Sequence, residues 1–306
     1  MSDPSYPLPD MTDAMRTWVH AHAPGAVRTM ETVASTPRSL VVRMTTTSGV
    51  LFFKSDKILP PPEGVVARRL SERWPEHIAP LVAVHAEHGW SLTRDAGRAG
   101  LDDASTAMWC RVVDRFARVQ IDTGLTADEW VAIGCRDFRG PAFQVEVDAM
   151  LEGAAPDLAA GVRTRLRARH EQIAVACADL AADGIPATLV HQDFVPVNII
   201  ASGDAPVFID WSDTVVGHPF FGFDRLLDSC WTDSERKTAV IDAYLAAFGG
   251  VAPAERLRAS FQRVLSLRVI YECVRWHHEL AATDPSLERS QFLRRDMLGG
   301  LTMIAR

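Results

Sequence analysis

Hydrophobic spacing divides the chain into a β-rich stretch and a longer helical one. Residues 1–9 hold Pro4, Pro7 and Pro9 among small polar residues and read as a loose leader. Thr12 or Asp13 caps a short helix running to about His22, with Met15, Trp18 and Val19 on one face. From Val27 the texture turns to β. Val33, then residues 40–44 and 50–54, are rich in β-branched and aromatic side chains, and residues 45–49 form a turn, which together predict an antiparallel meander. Pro60 to Glu63 signals a helix start, followed by Val65, Val66, Leu70 and Trp74 at helical spacing. Strands at 81–85 and 90–93 flank a polar turn at 87–89, and residues 94–100 read as a connector.

Beyond the connector the period becomes helical: 104–120, 127–133, 143–151 and 158–182 carry apolar residues three and four apart. Gly184 and Pro186 interrupt this, and two short apolar runs, 188–190 and 207–209, flank a loop-like stretch. Residues 234–248, 255–279 and 286–304 are helical again. The reading is an α+β fold, with a β-rich domain at 1–96, a helical domain at 97–306 and a ligand site in the cleft between them.

Composition narrows the partners. With 306 residues, 47% hydrophobic and 23% charged, the chain has enough apolar content to exclude general disorder. A formal charge of −7 argues against a nucleic-acid binder and tilts slightly toward a cationic small molecule. Cys110, Cys135, Cys177, Cys230 and Cys273 are widely spaced with no C-x-x-C, so neither a disulfide framework nor a zinc site is expected. The opening decapeptide lacks a signal pattern, and no uncharged apolar run reaches bilayer length. These features point to a cytoplasmic protein, monomer or homodimer, without a membrane or nucleic-acid partner.

The chemistry lies in LVHQDFVPVNII (189–200) and VFIDW (207–211), whose skeleton is His191, Asp193, Asn198 and Asp210. One carboxylate to accept a hydroxyl proton, with an amide oxygen and a second carboxylate to hold Mg²⁺, suits phosphoryl transfer. Asp193 would be the base, and Asn198 and Asp210 the metal ligands. The bland reading makes His191 a capping or core histidine and Asp193 and Asn198 turn formers. An apolar strand ending in Asp210 at the fitting distance argues against it.

Here the sequence resembles the aminoglycoside phosphotransferase family, which has a protein-kinase-like fold. HQDFVPVN and FIDW stand where members carry H-G-D-x-x-x-x-N and an apolar strand ending I-D-W, with Gln192 replacing the usual Gly. Gly217, Pro219 and Asp224 resemble the family's following segment, with a spacing that leaves Asp224 without a catalytic role. The resemblance implies two lobes: a small antiparallel sheet with one key helix, and a larger, mainly helical lobe. It further implies Mg²⁺ and ATP, with GTP as an alternative donor, and a hydroxyl acceptor such as an aminoglycoside or other antibiotic. An amino alcohol, a sugar or homoserine would be the metabolic alternative, and a nucleotide-binding pseudo-kinase a third.

His191 would then shape the catalytic loop, and Lys54 would meet the nucleotide phosphates. Its ion-pair partner would be Glu63 or Glu72; Glu63 is favoured because Glu72 falls near the helix end. Ser35 and Thr36 would sit in the phosphate-covering turn, or simply close an ordinary hairpin. Thr93, Arg94, Asp95 and Ala96 belong to a hinge offering backbone groups to adenine. Asp213 and the trio Glu272, Trp276 and Glu279, at i, i+4 and i+7 of one helix, are acceptor candidates. The alternative puts Trp276 in the core and pairs both glutamates with neighbouring Arg or Lys.

Overall fold

The computed structural model describes residues 10–36, 38–56, 63–101, 104–201, 205–229 and 233–306. The expected leader, Pro37 of the first hairpin turn, Pro60 of the helix-start signal and Cys230 lie outside these.

Helix α1 (Asp13–His22) is followed by β1 (Val27–Ser35), β2 (Ser39–Thr46) and β3 (Gly49–Asp56), then α2 (Glu63–Ser71), β4 (Leu81–His85) and β5 (Trp90–Arg94). The five strands form one antiparallel sheet in the order β1-β2-β3-β5-β4. Next come α3 (Thr106–Gly124), α4 (Ala127–Ala132), β6 (Arg136–Phe138), α5 (Pro141–Ala154), α6 (Ala160–Ala181) and β7 (Thr188–Val190). The chain continues through β8 (Ile199–Ile200), β9 (Val207–Phe208), β10 (Val215–Gly217), α7 (Phe223–Asp228), α8 (Ser234–Ala247), α9 (Ala254–Ala281) and α10 (Glu288–Ile304).

Two compact units result. One comprises the described residues from 10 to Arg115 together with those of Asp193–Thr214; the other comprises the described residues of Phe116–Gln192 and Val215–Arg306. In the first, Leu40, Val42 and Met44 are buried at every second position of β2, the strand period that presents one apolar face. Leu51, Phe53 and Leu92 extend that face, and Met15 and Val19 of α1 cover it. Each such side chain contributes about 1.5–3 kcal/mol on burial. Thr12 caps α1, its Oγ1 accepting the Met15 amide at 3.3 Å. On α2, a Cβ at Gly64 would come within 3.0 Å of both Val84 and Ser91, so the glycine allows the helix to seat closely against β4 and β5.

The segment 193–214 is knitted into this unit through backbone groups. The Gly100 amide donates to the Ile199 carbonyl at 2.8 Å, and the buried His77 ring meets the Pro206 carbonyl at 2.8 Å. Strands β8 and β9 pair Ile199 with Phe208.

In the second unit, β6, β10 and β7 form a three-stranded sheet, with β10 central. Phe221 stacks on Tyr271 at 4.2 Å, and Phe223 on Tyr244 at 3.8 Å, binding the turn before α7 to α9 and α7 itself to α8. The hydrophobic pattern points to most of the long helices but not to β6, β8, β10 or α7, which are too short to establish a period. Among the described residues, no helix is long and apolar enough to cross a membrane.

Candidate active site

In the first unit, β3 and α2 aim two opposite charges at each other. Lys54 lies near the end of β3, and its Nζ stands 2.5 Å from Glu63 Oε2 at the start of α2. The same Nζ donates to Asp210 Oδ1 at 2.7 Å. Burial would lower the Lys54 pKa, but Glu63 and Asp210 outweigh it and hold the ammonium well above its ordinary value. Glu63 also accepts the Trp211 amide on Oε1 at 3.1 Å, so one carboxylate ties α2 to β3 and to the loop after β9. Glu72 lies beyond the last turn of α2 and pairs with Arg69 at 3.1 Å, both well exposed.

Asp193 and Asn198 are also joined. The Asn198 amide nitrogen donates to the Asp193 carbonyl at 2.9 Å and to Asp193 Oδ2 at 3.0 Å. Its amide oxygen takes no part in these bonds, and the amide is oriented by them. Asn198 comes alongside Asp210 because the Ile209 amide donates to the Asn198 carbonyl at 3.0 Å. Asp210 has φ 60°, a left-handed backbone that costs a non-glycine residue about 1 kcal/mol or more. Its Oδ1 takes both Lys54 and the Ser212 hydroxyl, the latter at 2.5 Å, and neither bond uses Oδ2.

Among the described residues, no three His, Cys, Asp or Glu gather as a metal cage. A carboxylate and an oriented amide oxygen on adjacent backbone form a hard-oxygen pair that suits Mg²⁺ when substrate phosphates complete its shell. The residues present therefore fit that ion.

Sequence reasoning missed Asp56 and Arg38. Asp56 is on the same face of β3 as Lys54, is 9% exposed, and has its pKa pushed up to about 6. Burial is the main cause; Glu63 and Asp213 add to it, while Lys54 and Arg38 oppose it. The two-residue step from Lys54 was the available signal. Arg38 pairs with Asp213, whose backbone is also left-handed at φ 60°.

The hinge and turn candidates are largely committed to the fold. The Thr93 hydroxyl donates to the Phe52 carbonyl at 3.5 Å, and the Arg94 and Asp95 amides donate to the Pro80 and Val50 carbonyls at 2.8 and 3.1 Å. Those two amides are thus already engaged within the sheet; Ala96 follows them in the connector. Thr36 Oγ1 accepts the Arg38 and Ser39 amides at 3.3 and 3.0 Å, closing the turn that starts after Ser35.

The second unit holds His191 and the trio on α9. His191 is fully buried, and a Cβ at Gly222 (φ 81°) would meet its carbonyl oxygen at 2.7 Å. Only glycine meets both demands there. Gln192 uses the space of its longer side chain to donate to the Tyr271 hydroxyl at 2.8 Å. Glu272 and Trp276 line a groove of about 730 Å³ with Arg225, Asp228 and Arg268. Glu272 pairs with Arg275 at 2.8 Å and lies 3.7 Å from Arg225. Glu279 does not line that groove; its carboxylate is buried against Arg289 of α10 at 2.8 Å. Asp213 belongs to the other unit. Asp224 is buried against Arg268 at 2.6 Å, and burial raises its pKa to about 6.

Residues 77–260 match the phosphotransferase enzyme family. The chain belongs to that family. It is thus a phosphotransferase acting on hydroxyl groups. No curated protein matches the sequence. Among solved structures, the macrolide 2′-phosphotransferase of Brachybacterium faecium is similar at 16% identity, covering 93% of this chain and 97% of that one, with TM-score 0.62. The choline kinase of Cryptosporidium parvum is 11% identical, covers 94% of each chain and has TM-score 0.61. A spectinomycin phosphotransferase solved with ADP and spectinomycin is 11% identical over 97% of this chain and 98% of that one, with TM-score 0.55. At these identities the likeness carries the fold, which is that of the kinase-like phosphotransferases.

Proposed function

We propose that the protein transfers the γ-phosphoryl group of ATP, with GTP as an alternative donor, to a hydroxyl of a small molecule in the presence of Mg²⁺. The observation that carries this reading is the sharing of Lys54 between Glu63 and Asp210, which gathers a cation and two acids from three separate segments. Glu63 aims the ammonium, and Lys54 opposes the charge of the nucleotide phosphates. Asp193, held by the Asn198 amide, orients the acceptor hydroxyl and takes its proton. Asn198 and Asp210 hold the metal, which when bound neutralises phosphate charge. A pseudo-kinase is disfavoured because Lys54, Asp193, Asn198 and Asp210 are all present and interconnected.

The acceptor is an antibiotic in this reading, in line with the macrolide- and spectinomycin-modifying structures. The choline kinase likeness, with a TM-score of 0.61 beside 0.62 for the macrolide enzyme, supports an amino alcohol as the second reading. The groove acids Glu272 and Asp228 are each matched by an arginine, so a polycationic acceptor would have to displace guanidinium groups to use them. The groove therefore favours acceptors with one or two ammonium groups, of macrolide or amino-alcohol type, over heavily charged aminoglycosides. The test is a coupled assay of nucleoside diphosphate release against macrolides, spectinomycin, aminoglycosides, choline and ethanolamine, with wild type and Asp193→Asn in parallel. Acceptor-dependent release by wild type, lost in the variant, is expected. Release that is equal in both proteins removes the role of Asp193.

A further inference from the structure

The β1–β2 turn places a second cation beside Lys54. In the register of β2 against β3, Ser39 pairs with Asp56 and Val41 with Lys54, so Arg38 extends just past the end of the sheet that carries both. The turn is fixed by Thr36 Oγ1, which accepts the Arg38 amide itself. The guanidinium is not directed into solvent: it pairs with Asp213, and the two side chains are only 17% and 16% exposed. Asp213 and Asp210 both take φ 60° within one short loop, and each directs its carboxylate to a different cation. Asp56 registers the charges of Lys54 and Arg38 together, which places both in one electrostatic neighbourhood.

A loop that spends two left-handed aspartates on two neighbouring cations neutralises groups that phosphate would otherwise neutralise. The planar fork of a guanidinium also matches phosphate oxygens better than an ammonium does. We propose that Arg38 is a second phosphate-binding cation of the nucleotide site, held by Asp213 in the ligand-free protein and released to the terminal phosphates of a bound nucleoside triphosphate. This rests on the nucleotide-dependent reading above and gives Asp213 a role toward the donor.

Calorimetric titration of wild type, Arg38→Ala, Arg38→Lys and Asp213→Asn with Mg·ATP, and separately with adenosine, tests it. Arg38→Ala weakens Mg·ATP by roughly tenfold or more, the size expected of a lost charged hydrogen bond, and leaves adenosine within about twofold. Arg38→Lys falls between, and Asp213→Asn tightens Mg·ATP a few-fold because the competing carboxylate is gone. Unchanged Mg·ATP affinity in Arg38→Ala, or an equal loss of adenosine, overturns the assignment. A loss in Asp213→Asn as large as in Arg38→Ala does the same. Wild type that binds no Mg·ATP overturns the nucleotide reading as well, whereas normal binding by both wild type and Arg38→Ala overturns only the role of Arg38.

Discussion

The molecule contains two ion-pair networks of opposite character. Around Lys54, two cations (Lys54 and Arg38) face Glu63, Asp210, Asp213 and Asp56, an excess of acid held partly on left-handed loop backbone. On α7 and α9, Arg225, Arg268 and Arg275 face Asp224, Asp228 and Glu272, a matched set on regular helices. An acid-rich cluster on strained loops has capacity for a further cation and for rearrangement. A matched cluster on helices fixes shape and charge at a groove wall. In the function proposed above, the first cluster is the place for chemistry and the second the place for recognition.

The contrast can be broken in graded steps. Asp193→Asn lowers turnover by roughly two to four decades while nucleotide affinity stays near wild type; parallel steady-state kinetics and calorimetry read both. Lys54→Ala strands Glu63 and Asp210, costing about 3–5 kcal/mol in denaturant unfolding, and Mg²⁺ recovers more stability in this variant than in wild type. Asp56→Asn probes the raised carboxyl. A folded-state pKa of about 6 against 3.8 unfolded means that the native state binds the extra proton between those values, so Asp56 costs stability as pH rises through that window. The cost reaches about 2–3 kcal/mol above pH 6. Asp56→Asn is therefore the more stable protein at pH 7–8, and the gap closes below pH 4 in melts across that range.

The matched network gives smaller effects. Glu272→Gln changes acceptor KM by about tenfold with kcat largely kept, as expected for a groove residue already paired with arginine. Equal losses in kcat and kcat/KM would move Glu272 into the chemistry. Glu72→Ala changes stability by less than about 0.5 kcal/mol, since its pair with Arg69 is exposed.

Much of the candidate site was legible because its members sit in local patterns. Asp193 and Asn198 are five residues apart, Asp210 ends an apolar run, Lys54 ends a β-rich one and Glu63 opens a helix. What escaped was pairing across long separations. Arg38 and Asp213 are 175 residues apart, and nothing local to either indicates the other. The same limit hid the partner of Glu279: Glu272 pairs with Arg275 three residues on, among the partners the helix itself offered, whereas α10 supplies the counter-ion for Glu279. Short strands such as β6 and β10 escaped because three residues define no period and their partners lie far along the chain. Likewise, a single boundary at residue 96 has no means of expressing that Asp193–Thr214 returns to the first unit.

Helix α1 has a practical corollary for anyone expressing the protein. Met15 and Val19 are the lid of the sheet that presents Lys54, so a fragment trimmed beyond residue 22 would leave Leu40, Val42, Met44 and Phe53 wet on a bare β surface. Such a fragment would clump on purification and lose phosphate chemistry through collapse of its scaffold, even with every reactive side chain intact. Fusion partners belong upstream of Met11, where they leave that covering in place.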